Sequence, residues 1–378
     1  MKLMKKIFVL LFISGIFQNV AFALDGGALI NNDTSFKTNK NQNFYLNQKD
    51  IVTAWIKVPF GNNPENYFIA EGLYKFEYNQ NLKKSFNYID LNIFKATYTL
   101  HFADNSVKFN LGRFFVSTLS PIIFSQNSDG LSVAFKNNFI SASAYCGYTG
   151  LLNENIVKMV NVPDFKEINS KKIYNLADKY LVTAETVSFQ NLFANQTLGV
   201  QFTGAFRMDE VENTRLYTTL LLNGPIASNL IYNLDATAAF TKYNKEEIKV
   251  SALAKFVLGY YFDNASVNAT VVYASDDFSA ISSYAALNNL TESEYTGIFK
   301  PGITATYKPL DNLLITAGFD AAFDTVKSFE LKGIQYNVGV DYQILSDIYA
   351  GVKWNQYFDI NKSDVNFSCV SVQVKVAF

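Results

Sequence analysis

The chain has 378 residues, of which 49% are apolar and 16% aromatic, and its formal net charge is −1. This balance argues against nucleic acid as a partner, because nucleic-acid-binding proteins carry a strongly basic surface. The sequence contains no Cys/His cluster, phosphate-binding glycine loop or G-x-S-x-G motif, so no cofactor and no metal ion are predicted.

The first 23 residues are predicted to be a secretory signal peptide. A lysine-rich start precedes an apolar segment at 7–17, and residues 21–23 form an A-x-A cleavage site. The mature chain is therefore expected to be one domain, residues 24–378. The apolar segment is too short to span a bilayer, and no later run of about 18 apolar residues predicts a transmembrane helix.

Many windows of the mature chain alternate between apolar and polar residues, which is the pattern of a β-strand with one apolar face. The clearest windows are 198–207, 230–238, 313–322 and 334–343, and in each of them the apolar face carries no charged residue. A chain with many apolar residues but no long apolar run is what a transmembrane β-barrel requires.

The predicted connections between strands also alternate, in this case between short and long. The short ones are turns rich in Asn, Asp, Pro and Gly, at 61–66, 103–106, 137–138, 191–195, 225–229, 263–266, 309–312 and 345–347. The longer ones lie at 79–85, 117–130, 149–179, 208–214, 242–247, 275–299, 324–332 and 358–366. The spacing predicts an all-β, antiparallel transmembrane barrel of about 16 to 18 strands, with periplasmic termini and turns and extracellular long loops.

A soluble β-sandwich is the alternative, because its strands also have one core face and one wet face. Three features favour the barrel instead: the number of strands in one uninterrupted domain, a polar face built mainly from uncharged residues, and aromatic residues at strand ends. Such aromatics include Phe44, Tyr67, Tyr260 and Phe358, and they fit the interfacial girdles of a membrane barrel.

The chain ends in the alternating segment VSVQVKVAF, residues 370–378. A barrel in lipid must close, because an open edge would leave backbone groups unpaired at several kcal/mol each. The segment resembles the C-terminal strand of bacterial outer-membrane β-barrel proteins. That resemblance implies that Phe378 is part of the signal recognised by the barrel-assembly machinery, and that lipid of the outer membrane surrounds the protein.

A second resemblance involves the segments 107–117 and 124–135, which are similar to the general-porin arrangement of strand, Gly-Arg, inward third loop, Asp-Gly and strand. It implies a pore constriction formed by Arg113, Pro121, Phe124 and Asp129, and it suggests a homotrimer. The chain has few arginines and lacks the arginine ladder of that family. Along its strand, Arg113 alternates in phase with the apolar residues, which are expected to face lipid. It should therefore lie beyond the hydrocarbon or after a bulge, either at a strand end or in the constriction.

Several charged residues alternate in phase with the polar residues of their strands. They are therefore expected to face a water-filled lumen. They are Arg207, Asp235, Lys255, Asp320, Asp341, Lys353 and Lys375. Their mixed signs predict weak ion selectivity.

The sequence thus favours a porin, a passive diffusion channel for small hydrophilic solutes. Two alternatives stay open: a structural or adhesive barrel acting through loops such as 149–179, in which 165–179 could form a short helix, and a plugged transporter of hydrophobic molecules. The second would use a lateral opening, for which the change of apolar parity at Ile93-Phe94 could supply a bulge. Catalysis is not expected, since His101 is the only histidine and lies beside a short turn.

Overall fold

The computed structural model describes residues 25–39, 44–157, 159, 172–209, 212–244, 246–282, 296–360 and 366–378. These residues form one antiparallel sheet of 18 strands. The strands are β1 (Asp25–Asn39), β2 (Phe44–Pro59), β3 (Tyr67–Asn79), β4 (Lys84–Phe102), β5 (Asn105–Ser117), β6 (Ser125–Lys136), β7 (Ile140–Tyr148), β8 (Tyr180–Phe189), β9 (Thr197–Arg207), β10 (Asn213–Ala227), β11 (Leu230–Tyr243), β12 (Lys249–Tyr261), β13 (Ala265–Ala274), β14 (Ile298–Leu310), β15 (Leu313–Asp324), β16 (Glu330–Leu345), β17 (Ile348–Asp359) and β18 (Phe367–Ala377).

The sheet closes on itself through its first and last strands. Strands β1 and β18 pair antiparallel from Leu29↔Ala377 to Asn39↔Phe367. The last residue joins the same ladder, since the amide of Phe378 donates to the carbonyl of Ala28 at 2.9 Å. Closure pairs the first strand with the last, and it confirms the predicted all-β barrel and its upper strand number. The alternating end of the chain is the strand that completes the wall.

The outer face of the barrel is apolar, as the alternating windows predict. Val370 and Val372 on β18 and Val338 and Val340 on β16 all project outward and are about 40% exposed. Because neighbouring strands keep these residues in register, the outward rows continue around the wall. In the described part of the chain, no helix has the length and apolar character needed to cross a membrane.

Short and long connections lie at opposite ends of the barrel. The end that holds both chain ends of the described sheet, Asp25 and Phe378, has the short turns and is called the turn end here. The other end carries the longer connections, including 118–124, 149–179 and 275–297, and is called the loop end. The predicted signal peptide, residues 1–23, lies outside the described residues.

Two acidic residues lie on the outer face, outside the windows that predict an uncharged face. Asp50 on β2 is opposite Asn32 on β1, and the side-chain amides of Asn32 and Gln48 donate to its two oxygens. Glu185 on β8 is opposite Phe202 on β9. Acidic groups on a lipid-facing wall are costly, which makes both positions exceptions to the rule that the other outward rows follow.

Candidate pore and its constriction

The connection 118–124 between β5 and β6 turns into the barrel as a compact loop. The Thr118 hydroxyl donates to the carbonyl of Ser120 at 2.6 Å and accepts from the amide of Phe124 at 3.2 Å. The amide of Ile123 donates to the carbonyl of Ser120 at 3.0 Å. These bonds fix the loop before it meets the wall, because a threonine side chain bonded to nearby backbone stabilises a turn.

The apolar tip of this loop packs against the inner wall. Ile122, Ile123 and Phe124 are at most 1% exposed. They belong to one apolar cluster that also contains inward side chains of the wall, namely Tyr217, Ala239, Leu253, Val272, Ala274 and Ile298. Pro121, the other predicted tip residue, is half-buried at the start of the same turn. The cluster also contains residues of β5 and β7–β9, so protein fills the lumen beside the wall from β7 to β14.

A second loop, which belongs to the long connection predicted at 275–299 but was not expected to turn inward, completes this blockage. Residues 275–282 leave β13 and turn inward, so that Phe278 and Ile281 are buried in the same cluster. The amide of Ile281 donates to the carbonyl of Ile123 at 2.8 Å. The amide of Ser125 donates to the Ser282 hydroxyl oxygen at 3.0 Å. The constriction consequently has two parts that are joined by main-chain hydrogen bonds.

A signal for this arrangement exists in the sequence. On β10, β12 and β13 the outward-facing residues are apolar, as expected. Some inward-facing residues of these strands are apolar as well, namely Tyr217, Leu253 and Val272. Strands that are apolar on both faces are buried on both faces. This pattern predicts that something covers the inner wall there, although it does not say what.

Arg113 lies where strands β4 and β5 separate. Their ladder runs from the turn end as far as Phe94↔Arg113 and stops. Beyond that point β4 continues only against β3, and β5 only against β6. Gly112 has a φ of +115°, and a Cβ at that position would overlap the carbonyl of Phe94. Glycine thus allows β5 to change direction at the residue before Arg113.

The guanidinium of Arg113 uses all its N–H groups inside the wall. Nε and Nη2 donate to the two oxygens of Asp129, each at 2.8 Å, and Nη1 donates to Asp90 Oδ1 at 3.0 Å. Nη1 and Nη2 also donate to the carbonyls of Leu91 and Leu151, each at 2.9 Å. A bidentate, fully hydrogen-bonded pair of this kind is the strong form of an ion pair. Arg113 therefore joins three strands to the loop that follows β7.

Asp129 lies in β6 and not in the inward loop, which is shorter than the predicted range 117–130 because β6 starts at Ser125. A bulge lies close to the predicted change of parity. The β3–β4 register shifts between Glu71 and Gly72, which leaves Asn92 unpaired beside Ile93. The bulge brings Asp90 to the inner side, where it meets Arg113.

The long connection 149–179 covers the gap between β4 and β5. Its described parts bridge at Asn153↔Leu176, and the amide of Ile89 on β4 donates to the carbonyl of Ile173 at 3.2 Å. The Asn153 side chain donates to the carbonyl of Ile89 at 3.0 Å. Residues 172–179 are irregular, so the expected helix is not present in this part of 165–179, and its first residues lie outside the described chain.

In the observed register, all the charged residues predicted to line the lumen lie on the inward-facing side of their strands. Arg207 contacts Asp209 at 2.7 Å, Asp235 is opposite Lys255, and Asp320 lies 3.9 Å from Lys300. Asp341, Lys353 and Lys375 face inward on β16, β17 and β18. Asp235 is buried beneath the inward loop, so it is not part of the open lumen.

The wall outside the apolar cluster is rich in lysine. The lysines that face inward on β17, β18 and β1–β5 include Lys353, Lys375, Lys37, Lys49, Lys57, Lys75, Lys95 and Lys108. Several lie over inward aromatic rings, such as Lys57 and Lys95 at 4.6 and 5.4 Å from the ring centre of Tyr67. Acids such as Asp33, Glu71 and Glu77 alternate with them. The open part of the lumen is consequently polar and carries both signs of charge.

This closed barrel with inward loops and a polar lumen has the fold of bacterial outer-membrane porins. Solved structures with the same fold include several from Pseudomonas aeruginosa. One of them, OpdQ, has a TM-score of 0.64 and 10% identity, covering 94% of this chain and 99% of that chain. OccK2 (OpdF) in complex with glucuronate has a TM-score of 0.63 and 10% identity, with 94% and 98% covered. OpdK with vanillate has a TM-score of 0.60 and 10% identity, with 94% and 98% covered. No family model and no curated protein sequence matches the chain.

Proposed function

We propose that this protein is a passive diffusion channel of the outer membrane for small hydrophilic solutes. The observation that carries the proposal is the lumen itself: a closed 18-stranded wall is wide enough to hold water, and the apolar cluster around the two inward loops contains no described residue of β16–β18 or β1–β4. We place the turn end and both chain ends in the periplasm and the long loops outside, with residues 1–23 removed on export.

We further propose that small organic anions are the preferred solutes. Two of the similar structures hold glucuronate and vanillate, which are both carboxylates. In this chain, Lys57, Lys95 and Lys108 face the same part of the lumen around Tyr67. Fixed cationic groups in a low-dielectric wall raise the local concentration of anions. The sequence-based expectation of weak selectivity is thereby refined to a modest preference for anions.

The decisive experiment is a single-channel recording of the refolded mature chain in a planar lipid bilayer, with a salt gradient across it. Current steps of fixed size are expected, with a reversal potential on the anion-selective side. A correctly folded barrel that gives no conductance contradicts the diffusion channel and favours a structural or adhesive role of the loops.

The lysine cluster provides a prediction about selectivity. Replacing Lys57, Lys95 and Lys108 together by glutamine is expected to lower the anion-to-cation permeability ratio about twofold, because the local positive potential falls. The matched control is Lys308→Gln, which removes a lysine that lies at the turn end and pairs with Asp311 at 3.6 Å. The ratio should stay unchanged in the control. An unchanged ratio in the triple variant would exclude these lysines as the source of selectivity.

Transport is favoured over catalysis by the position of the single histidine. Nε2 of His101 lies 3.0 Å from Glu65 in the turn beside it, at the opposite end of the barrel from the constriction. Both side chains are more than half exposed.

The last residue is proposed to act in assembly more than in the folded wall. The backbone of Phe378 bonds to Ala28, but its ring is 73% exposed. Deleting Phe378 is therefore expected to reduce the amount of folded barrel in cells severalfold, while the variant refolded in detergent keeps nearly wild-type stability. Heat-modifiable migration on gels, which separates folded from unfolded barrels, measures both quantities. Equal losses in cells and in detergent would indicate a purely structural role.

A further inference from the structure

Arg215 is a fully buried arginine on the inner wall. It lies on β10 opposite Thr241 of β11, and its side chain is 0% exposed. Its guanidinium stacks at 5.1 Å from the ring centre of Tyr180. Nη1 donates to the carbonyl of Ala280 in the inward loop 275–282. The residue therefore links the wall to the second part of the constriction.

The other two nitrogens of this guanidinium have no hydrogen-bond partner among the described residues. Nε and Nη2 of Arg215 are buried and make no hydrogen bond. No carboxylate of the described residues lies within ion-pair distance of it, whereas Arg113 contacts Asp90 and Asp129 and Arg207 contacts Asp209. Leaving one charge of a buried pair unpaired is strongly destabilising. The free edge of Arg215 accordingly requires an anionic partner.

The neighbouring wall offers further hydrogen-bonding groups that are also unused. The hydroxyls of Thr203, Thr241 and Ser251 are buried without a partner, as is the side-chain amide of Asn213. Thr241 is the direct cross-strand neighbour of Arg215, and Thr203 and Ser251 have the same inward parity on β9 and β12. Hydroxyls and amides can donate to an anion. Such clusters of unsatisfied buried groups are rare in native proteins.

We propose that Arg215 holds a small anion, a halide or a small oxyanion, behind loop 275–282. The Nε and Nη2 groups form one edge of the guanidinium, whose parallel N–H donors suit such a ligand. Tyr180, Tyr217 and Phe278 are buried around the site, so a bulky solute does not reach it while the loop is in place. The bound anion compensates Arg215 and stabilises the loop, because Arg215 and Tyr217 bond the carbonyls of Ala280 and Ser279.

The first test compares thermal unfolding of the full mature barrel in sodium chloride and in sodium gluconate at equal ionic strength. Chloride is expected to raise the midpoint by a few degrees over gluconate, because a ligand bound only by the folded state stabilises it. This difference should vanish in Arg215→Met and persist in Arg207→Met, the control that removes a lumenal arginine with acidic partners. A chloride-minus-gluconate difference in midpoint that is the same in wild type and in Arg215→Met would overturn the proposal.

The second test needs only the wild-type barrel and so remains valid if Arg215→Met does not fold. Crystals grown in sodium bromide are expected to show an anomalous bromide peak in contact with Nε and Nη2 of Arg215. A site that contains only water overturns the proposal. Neither test depends on conductance, so its result stands apart from that of the diffusion channel.

Discussion

Replacing Ile123 by aspartate is expected to increase the single-channel conductance about twofold or more, since conductance follows the open cross-section of the lumen. Ile123 is 0% exposed at the tip of loop 118–124. A carboxylate at this position would be buried among apolar side chains without a partner, at a cost of several kcal/mol. The loop is therefore expected to leave the wall and widen the pore.

The conductance of Ile123→Asp is measured in a planar bilayer beside wild type and Val326→Asp. Val326 is an exposed apolar residue of a connection at the loop end, so its variant adds the same charge without disturbing the cluster. Conductance should stay near the wild-type value in this control. If Ile123→Asp folds and conducts like wild type, the loop does not limit the pore.

The architecture could be predicted from the sequence because a membrane wall imposes a rule on every residue. Each strand must alternate, each backbone group must be paired, and the last strand must meet the first. The window 334–343 and the closing segment 370–378 follow this rule in both sequence and structure. The short and long connections alternate because consecutive strands are antiparallel, so every second connection lies at the same end of the barrel.

The contents of the lumen could not be predicted in the same way. The alternation along each strand predicts that Asp235 and Lys255 face inward. It does not predict that loop 118–124 lies over Asp235. The contact between Ile123 and Ile281 joins loops that are distant in the sequence, and no local pattern encodes it. Arg215 has the inward parity too, yet its burial depends on the position of the second loop.

Arg113 shows a different limit of prediction from alternation. Alternation places its side chain on the outer face only if β5 continues straight through this residue. At Gly112 the backbone takes a conformation that a side chain would disfavour, and β5 leaves the plane that it shares with β4. Alternation therefore no longer predicts the face of a residue beyond the last β4–β5 pair. The side chain is then free to turn into the wall and to meet acids from two other strands.

Replacing Arg113 by methionine is expected to lower the free energy of unfolding by about 3 to 5 kcal/mol, the usual cost of breaking a buried ion pair from one side. Methionine keeps an unbranched apolar stem and removes every hydrogen bond of the guanidinium. Asp90 is then left buried and unpaired, and the carbonyl of Leu151 keeps only the Tyr174 hydroxyl as a donor. The variant should also give noisier current, because the connection 149–179 loses its attachment to β5.

A double-mutant cycle separates the ion pair from simple packing. Adding Asp90→Asn and Asp129→Asn to Arg113→Met removes the unpaired charges, so part of the lost stability is expected to return. The two asparagine changes made without Arg113→Met should be destabilising by themselves, which is the sign of a coupled network. The free energies are measured by denaturant unfolding of the barrel in detergent. Strictly additive effects would mean that Arg113 contributes through packing and that the wall between β4 and β5 does not depend on its charge.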